Sequence, residues 1–291
     1  MTKNTNIKNL IELNIAVLLI STSGPLGRYI DMPVTITIGI RALIAGILLF
    51  LFCKWKGFNL RIEKKDRGIL ALSGLLMGLH WLTYFYALRL SNVAIGMLSM
   101  FTFPVITSFL EPLILKTRFQ KIQILLGALV LLGVYFLVPE FDFENDYFKA
   151  IGMGVLSALL YSLRNIITKN KVSNYNGSIV MMYQLAVIAI CLLPFYAVFD
   201  IQIIAGQLAP LIALALVTTA IGHTLFLYTF NNFSVASASI MSSSQPIYGI
   251  LVGIFFLNEY PDMSSIIGGS LILTSVLLES LRAYKKGAKK V

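Results

Sequence analysis

A chain of 291 residues that is 57% hydrophobic and only 12% charged is unlike a soluble domain, in which about 25% of residues carry charge. The net charge of +10 does not point to nucleic acid, because the basic residues form neither a face nor a motif and lie between apolar runs. Cys53 and Cys191 sit within or beside such runs without metal-ligand spacing, so neither a disulfide framework nor a metal or other cofactor is expected.

Ten apolar stretches are expected to cross a bilayer, at 10–30, 33–53, 68–88, 92–115, 121–138, 148–168, 177–199, 208–230, 235–257 and 263–283. Most run close to the ~20 residues that span about 30 Å of hydrocarbon, and Lys, Arg, Asp, Glu, Gly and Pro clusters mark their ends. The first is read as retained, since no small-residue cleavage site follows it. It breaks at Ser21-Thr22-Ser23-Gly24-Pro25, where a kink is expected. The second carries Arg41, too deep for easy snorkelling. An ionisable side chain at that depth costs about 2.5–3.5 kcal/mol on insertion scales and is a functional candidate by default.

The third span holds His80, Trp81 and Tyr84 on one helix face, an aromatic surface suited to a planar or cationic substrate. The fourth has Phe101 before a kink at Pro104, and Glu111 near its end, which is expected to pair with Lys116 or Arg118 rather than carry protons. Arg28 and Arg164, late in the first and sixth spans, are expected to snorkel or to cap carbonyls at helix ends. Tyr183 and Gln184 in the seventh, His223 in the eighth, and Ser243 and Gln245 before Pro246 in the ninth complete the candidate cavity. Its walls would be aromatic on one side and hydrogen-bonding on the other. Glycines 127, 133, 268 and 269 are expected to let the fifth and tenth helices pack closely.

The second half repeats the first. Residues 80–137 align without a gap on 222–279: Tyr86 falls on Tyr228, Val93-Ala94 on Val235-Ala236, Pro104 on Pro246 and Gly127 on Gly269. Ser21–Arg28 likewise resembles Ser157–Arg164. Five spans is an odd number, so the two copies must enter the membrane from opposite sides, as in transporters with a mid-membrane site between inverted repeats. The expected fold class is therefore all-α integral membrane, with ten transmembrane helices as two inverted five-helix repeats.

Orientation follows from the basic residues. Eighteen of the 23 Lys and Arg fall in the alternate connections shared with the N-terminus, from Lys3 and Lys8 through Lys54–Arg67, Lys116–Lys121 and Lys169–Lys171 to Arg282 and the tail beyond it. Both termini are thus expected to be cytoplasmic, in what is expected to be a bacterial inner membrane. The tail, Ala283–Val291, is expected to act as a positive-inside anchor near lipid.

Each half closes with a proline-containing helix, a short polar turn and a glycine-rich last helix, Pro104–Phe136 and Pro246–Leu278. This arrangement resembles the EamA domain of the drug/metabolite transporter superfamily over nearly the whole chain, with Thr117 in the first copy where the second has Glu259. The resemblance implies a first repeat at 1–138, an outer linker at 139–147 and a second repeat at 148–291. It also implies that helices 1–4 and 6–9 surround a central cavity, with helices 5 and 10 in support, and export of small, amino-acid-like metabolites. The alternatives are a flippase for lipid-linked headgroups, or an intramembrane enzyme, for which no catalytic motif is present. A monomer or homodimer, with or without proton or ion coupling, fits equally.

Overall fold

The computed structural model describes residues 3–116, 119, 122–137, 142, 144–172, 174–196 and 201–288, without the side chains of 3–7, 123, 170, 201, 236, 237, 240, 243, 276 and 279–288. Arg118, the side chain of Ser243, residues 139–141 and 143 of the expected outer linker and the side chains of the basic tail lie outside the described residues. Among the described residues the chain is helical, with no strand.

Helices α1 (Lys3–Ser21) and α2 (Ser23–Tyr29) are one apolar run interrupted at Thr22. Pro25 has no N–H for the Ser21 carbonyl, and the Ser21 and Thr22 hydroxyls turn back onto the carbonyls of Leu18 and Leu19 at 2.6 and 2.8 Å. After α3 (Val34–Trp55) and α4 (Lys64–Leu90), the Asn92 side chain accepts a hydrogen bond from the Ile95 amide at 2.9 Å and caps α5 (Val93–Met100). A break at Phe101-Thr102 then leads into α6 (Phe103–Leu115), with Pro104 in its first turn, where a missing N–H costs nothing.

The second half begins beyond α7 (Ile122–Leu137), with α8 (Asp146–Val172) and α9 (Gly177–Cys191). The seventh expected span does not run on unbroken. It is interrupted at Leu192, just ahead of Pro194, and resumes as the short α10 (Leu193–Tyr196). Next come α11 (Ile201–Gly206), α12 (Leu208–Ala213), a π-helix over Leu214–His223, and α13 (Thr224–Thr229). Helix α14 (Val235–Met241) passes through a 3-10 turn, Ser242–Ser244, into α15 (Gln245–Leu257), and α16 (Met263–Ala288) follows. Lys116 ends α6 and Asn258 ends α15 in the same left-handed conformation, with φ of 54° and 55°, and the two positions are equivalent in the repeat. Asparagine adopts this conformation readily and lysine does not.

Among the described residues, six helical runs are long and apolar enough to cross a membrane: Lys8–Tyr29, Val34–Trp55, Lys64–Leu90, Val93–Leu115, Asp146–Lys169 and Leu208–Thr229. Four shorter apolar helices join them, at Ile124–Leu137, Gly177–Cys191, Gln245–Leu257 and Met263–Ser275. Large apolar side chains such as Leu131, Phe255 and Phe256 are exposed on the outside, as a lipid-facing surface requires.

The packing pairs are α4 with α8, α1 with the π-helix, α3 with α9, α5 and α6 with α14 and α15, and α7 with α16. In the last pair two of the four expected glycines do what the sequence suggests, while Gly127 faces Phe109 of α6 and Gly269 faces Leu98 of α5. A Cβ on Gly268 would meet the Gly133 carbonyl at 2.6 Å, and one on Gly133 would meet the Gly268 carbonyl at 2.8 Å, so the two backbones touch where no side chain fits.

Candidate functional site: a buried polar and aromatic centre

Arg41 of α3 is the centrepiece. It has no exposed surface, and its guanidinium lies over the Trp81 ring, 3.9 Å from the centroid. Its Nε donates to Thr219 at 2.6 Å and one terminal nitrogen to Thr218 at 3.0 Å. Both threonine hydroxyls donate to the Leu214 carbonyl, four and five residues back, which leaves lone pairs free to receive Arg41. The wider turn of the π-helix brings these two consecutive hydroxyls onto one guanidinium, and such turns recur at functional sites. The other terminal nitrogen of Arg41 has no partner. No Asp or Glu among the described residues forms an ion pair with it.

From Trp81 a chain of rings crosses the centre. His223 lies 5.5 Å from Trp81, and Tyr161 of α8 lies 6.2 Å from His223 and 4.4 Å from His80. The two histidines differ. Ser157 donates its only hydroxyl proton to the His80 carbonyl at 2.9 Å, so the 2.7 Å contact between Ser157 Oγ and His80 Nδ1 requires the proton on the nitrogen. His80 is a clip between α4 and α8. His223 is 3% exposed, and its Nδ1 has no partner.

Arg164 is fully buried and does not snorkel, which corrects the sequence expectation. It lies mid-bundle because α8 extends through Val172, two turns beyond it. Its guanidinium donates to Asn165 at 2.9 Å and to Gln184. Gln184 in turn donates to Ser73 at 2.8 Å and Thr168 at 3.3 Å. This network ties α4, α8 and α9 together.

The other candidates are scattered around this centre. Tyr84 is buried, with its ring parallel to His80 at 6.2 Å, and Phe101 reaches Tyr161 only through Phe103, at 5.2 and 5.1 Å. Gln245 is 7% exposed at the start of α15. Tyr183 turns away from the centre and donates to the Leu60 carbonyl at 2.8 Å beside an outward-facing apolar groove. Thr218, Thr219, Tyr161 and Ser157 were not singled out from sequence. The adjacent threonines in an otherwise apolar stretch were the available signal.

Polar clusters close the two ends of the bundle. At one, Arg28 pairs with Glu259 at 2.7 Å, Glu259 accepts from the Val93 amide at 2.8 Å, and Arg28 donates to the Arg89 carbonyl at 3.4 Å. At the other, Glu111 accepts from the Val235 amide at 3.3 Å, and of its two expected partners Arg118 lies outside the described residues. The orphan amide at the start of α14 points at this carboxylate. Lys169, electrostatically coupled to Glu111, donates to the carbonyls of Phe230 and Phe233, both at 2.6 Å. Nearby, Asp66 accepts from Lys171 at 2.6 Å and Tyr175 at 2.7 Å. The bond to Asp66 pushes the Tyr175 phenol up. The start of each of α5 and α14 thus meets the end of the partner run, so the two runs are antiparallel.

The model of the EamA-like transporter family matches residues 10–138 and again 148–281. An uncharacterized transporter of Archaeoglobus fulgidus is 27% identical over 232 residues, 79% of this chain and 83% of that protein. The inner membrane transporter YicL of Salmonella typhimurium is 25% identical over 292 residues, 96% and 97% of the two chains. The pseudopaline exporter CntI of Pseudomonas aeruginosa is 22% identical over 257 residues, 88% of each. A crystal structure at 17% identity shares the fold, with a TM-score of 0.72 over 96% of this chain and 98% of that one. With a family match over most of its length and helices apolar enough to cross a bilayer, this integral membrane protein belongs to the EamA-like transporter family.

Proposed function

We propose that the chain is a secondary exporter of small, amino-acid-like metabolites, working by alternating access around the Arg41–Trp81–His223 centre, and that it is not an enzyme. In this reading the six longer and four shorter apolar runs make ten spans. They form two inverted repeats, 1–138 and 148–291, joined by an outer linker at 139–147, with both termini cytoplasmic in a bacterial inner membrane. The antiparallel course of α5–α6 and α14–α15, which are equivalent in the repeat, supports inversion. So does the packing: exchanging the halves turns the α4–α8 pair into the π-helix–α1 pair and returns α3–α9 and α7–α16 to themselves. The names of YicL and CntI favour an inner membrane and export.

The observation that carries the proposal is the buried guanidinium of Arg41 on Trp81, with no carboxylate partner among the described residues and with one nitrogen unpartnered. Such a group is costly in a membrane protein unless a solute uses it. His80, Tyr84, Phe101, Gln184, His223, Ser243 and Gln245 are assigned to the walls around it, and Tyr183, which turns away to Leu60, is not. Pro25, Pro104 and Pro246 are assigned as the flexing points. The clusters at Arg28–Glu259 and Glu111–Lys169 act as closures at opposite membrane faces, one opening at a time. The test is uptake of radiolabelled amino acids into proteoliposomes, with and without a pH gradient. Saturable uptake of at least one, abolished in protein-free vesicles, is expected. No saturable uptake of any of them under either condition would sink the amino-acid-like reading.

A further inference from the structure

Two buried arginines lie in the same centre, and their surroundings differ. Both terminal nitrogens of Arg164 are held by the amide oxygens of Asn165 and Gln184, in a network that continues to Ser73 and Thr168, and only its Nε is without a partner. Arg41 rests on two neutral hydroxyls and on the rings of Trp81 and Phe85, and keeps a terminal nitrogen without a partner. The buried Nδ1 of His223, whose ring lies 5.5 Å from Trp81, is also without a partner. Two unsatisfied nitrogens therefore border one indole, one of them on a permanent cation. Buried polar groups are nearly always satisfied in native structures, and exceptions call for a functional reason.

We infer that the transported solute is recognised by a carboxylate, which docks on the free edge of the Arg41 guanidinium beside His223, while the body of the solute lies against Trp81. This rests on the transport reading and adds the chemical class. A carboxylate can take two parallel hydrogen bonds from the planar fork, and charge-assisted bonds of this kind are about twice as strong as those to neutral acceptors such as Thr218 and Thr219. The fork also discriminates. A lysine at position 41 would keep the charge and lose the bidentate geometry. Arg41 has no exposed surface in this structure, so the carboxylate enters only when one end of the bundle opens. It then neutralises a cation that would otherwise cross the cycle unpaired. A chloride ion offers the same neutralisation without the fork geometry, and the experiment separates the two.

The test measures binding to the full-length protein in detergent, by the shift in its melting temperature. One set of probes is the twenty amino acids, the second is their decarboxylated amines, and the third is sodium chloride alone. The proposal expects at least one amino acid to stabilise the wild type by several degrees while its amine does not. It expects Arg41→Gln to weaken that amino acid at least tenfold, and Arg41→Lys to fall in between. Without ligand, Arg41→Gln should melt at or above the wild-type temperature, since it removes an uncompensated buried charge. A purely structural arginine would instead melt lower when replaced. His223→Leu, which nearly conserves volume, provides a second variant and should also weaken the amino acid with little loss of unliganded stability. Equal stabilisation by acid and amine, chloride alone producing the whole shift, undiminished binding by Arg41→Gln, or no response to any amino acid would each overturn the proposal. Transport of a solute lacking a carboxylate would overturn it and leave the transporter reading standing. Carboxylate binding without transport would do the reverse.

Discussion

At the scale of single residues, the buried polar groups of the centre divide by what truncation should do. Gln184→Leu removes an acceptor of Arg164 and the donor to Ser73, and hydrogen bonds to charged groups contribute about 1.5–3 kcal/mol. This variant should lose stability by about that amount, seen as a lower melting temperature in detergent, whatever it does to transport. Trp81 is different, because it is both packing and platform. Trp81→Ala should cost about 3–5 kcal/mol, as for other buried large-to-small changes. Trp81→Phe should fold and insert normally and yet transport roughly tenfold more slowly per folded molecule, since the cation–π contact to Arg41 weakens. Equal rates for Trp81→Phe and wild type would remove the ring from the mechanism. Arg41, Trp81 and His223 were legible in the sequence because polar and aromatic groups at membrane depth are conspicuous against an apolar background. Thr218 and Thr219 were not, because a threonine can satisfy its hydroxyl on its own helix and so carries no signal of what else it touches.

At the scale of elements, the two closures make opposite predictions. Glu259→Gln weakens the Arg28 contact at one end, and Glu111→Gln weakens the Val235 and Lys169 contacts at the other. In a background with Cys53 and Cys191 replaced by Ala, Glu259→Gln should speed maleimide labelling of Ser91→Cys and slow that of Thr229→Cys. Glu111→Gln should reverse the pattern. Labelling that changes in the same direction at both probes would separate these contacts from alternating access. The α7–α16 contact should matter for assembly alone. Gly268→Ala drives a methyl into the Gly133 carbonyl, and overpacking of this kind typically costs about 1–3 kcal/mol. Its melting temperature should fall while ligand affinity in the surviving fraction stays within twofold. Breaks at prolines were visible in the chain, since a missing N–H is a local fact. The π-helix was not, because its wider turn depends on α1 and α3 packed against it.

At the scale of the whole molecule, the repeat and the charge pattern predict topology. Reporter fusions at residue 3 and at residue 288 should both report the cytoplasm, and one at residue 144, in the expected outer linker, the opposite side. Fusions that place the two ends on opposite sides would contradict the even number of spans. The same pattern accounts for Lys116 and Asn258, equivalent residues that end equivalent helices in the left-handed conformation.

The amino-acid sequence by itself determined the helical membrane class, the duplication and the family, because these rest on hydrophobic length and on self-similarity along the chain. The tertiary structure decided which polar residues meet. It placed Arg164 inside the bundle with Gln184, bound His80 to Ser157, gave Glu111 to Val235 and turned Tyr183 toward Leu60. Each of these partners lies on another helix or, for Leu60, in the connection between α3 and α4, at 20 to 124 residues' separation. Helix rotation and depth, which set such meetings, follow from packing against neighbours and leave no periodic trace in either segment alone.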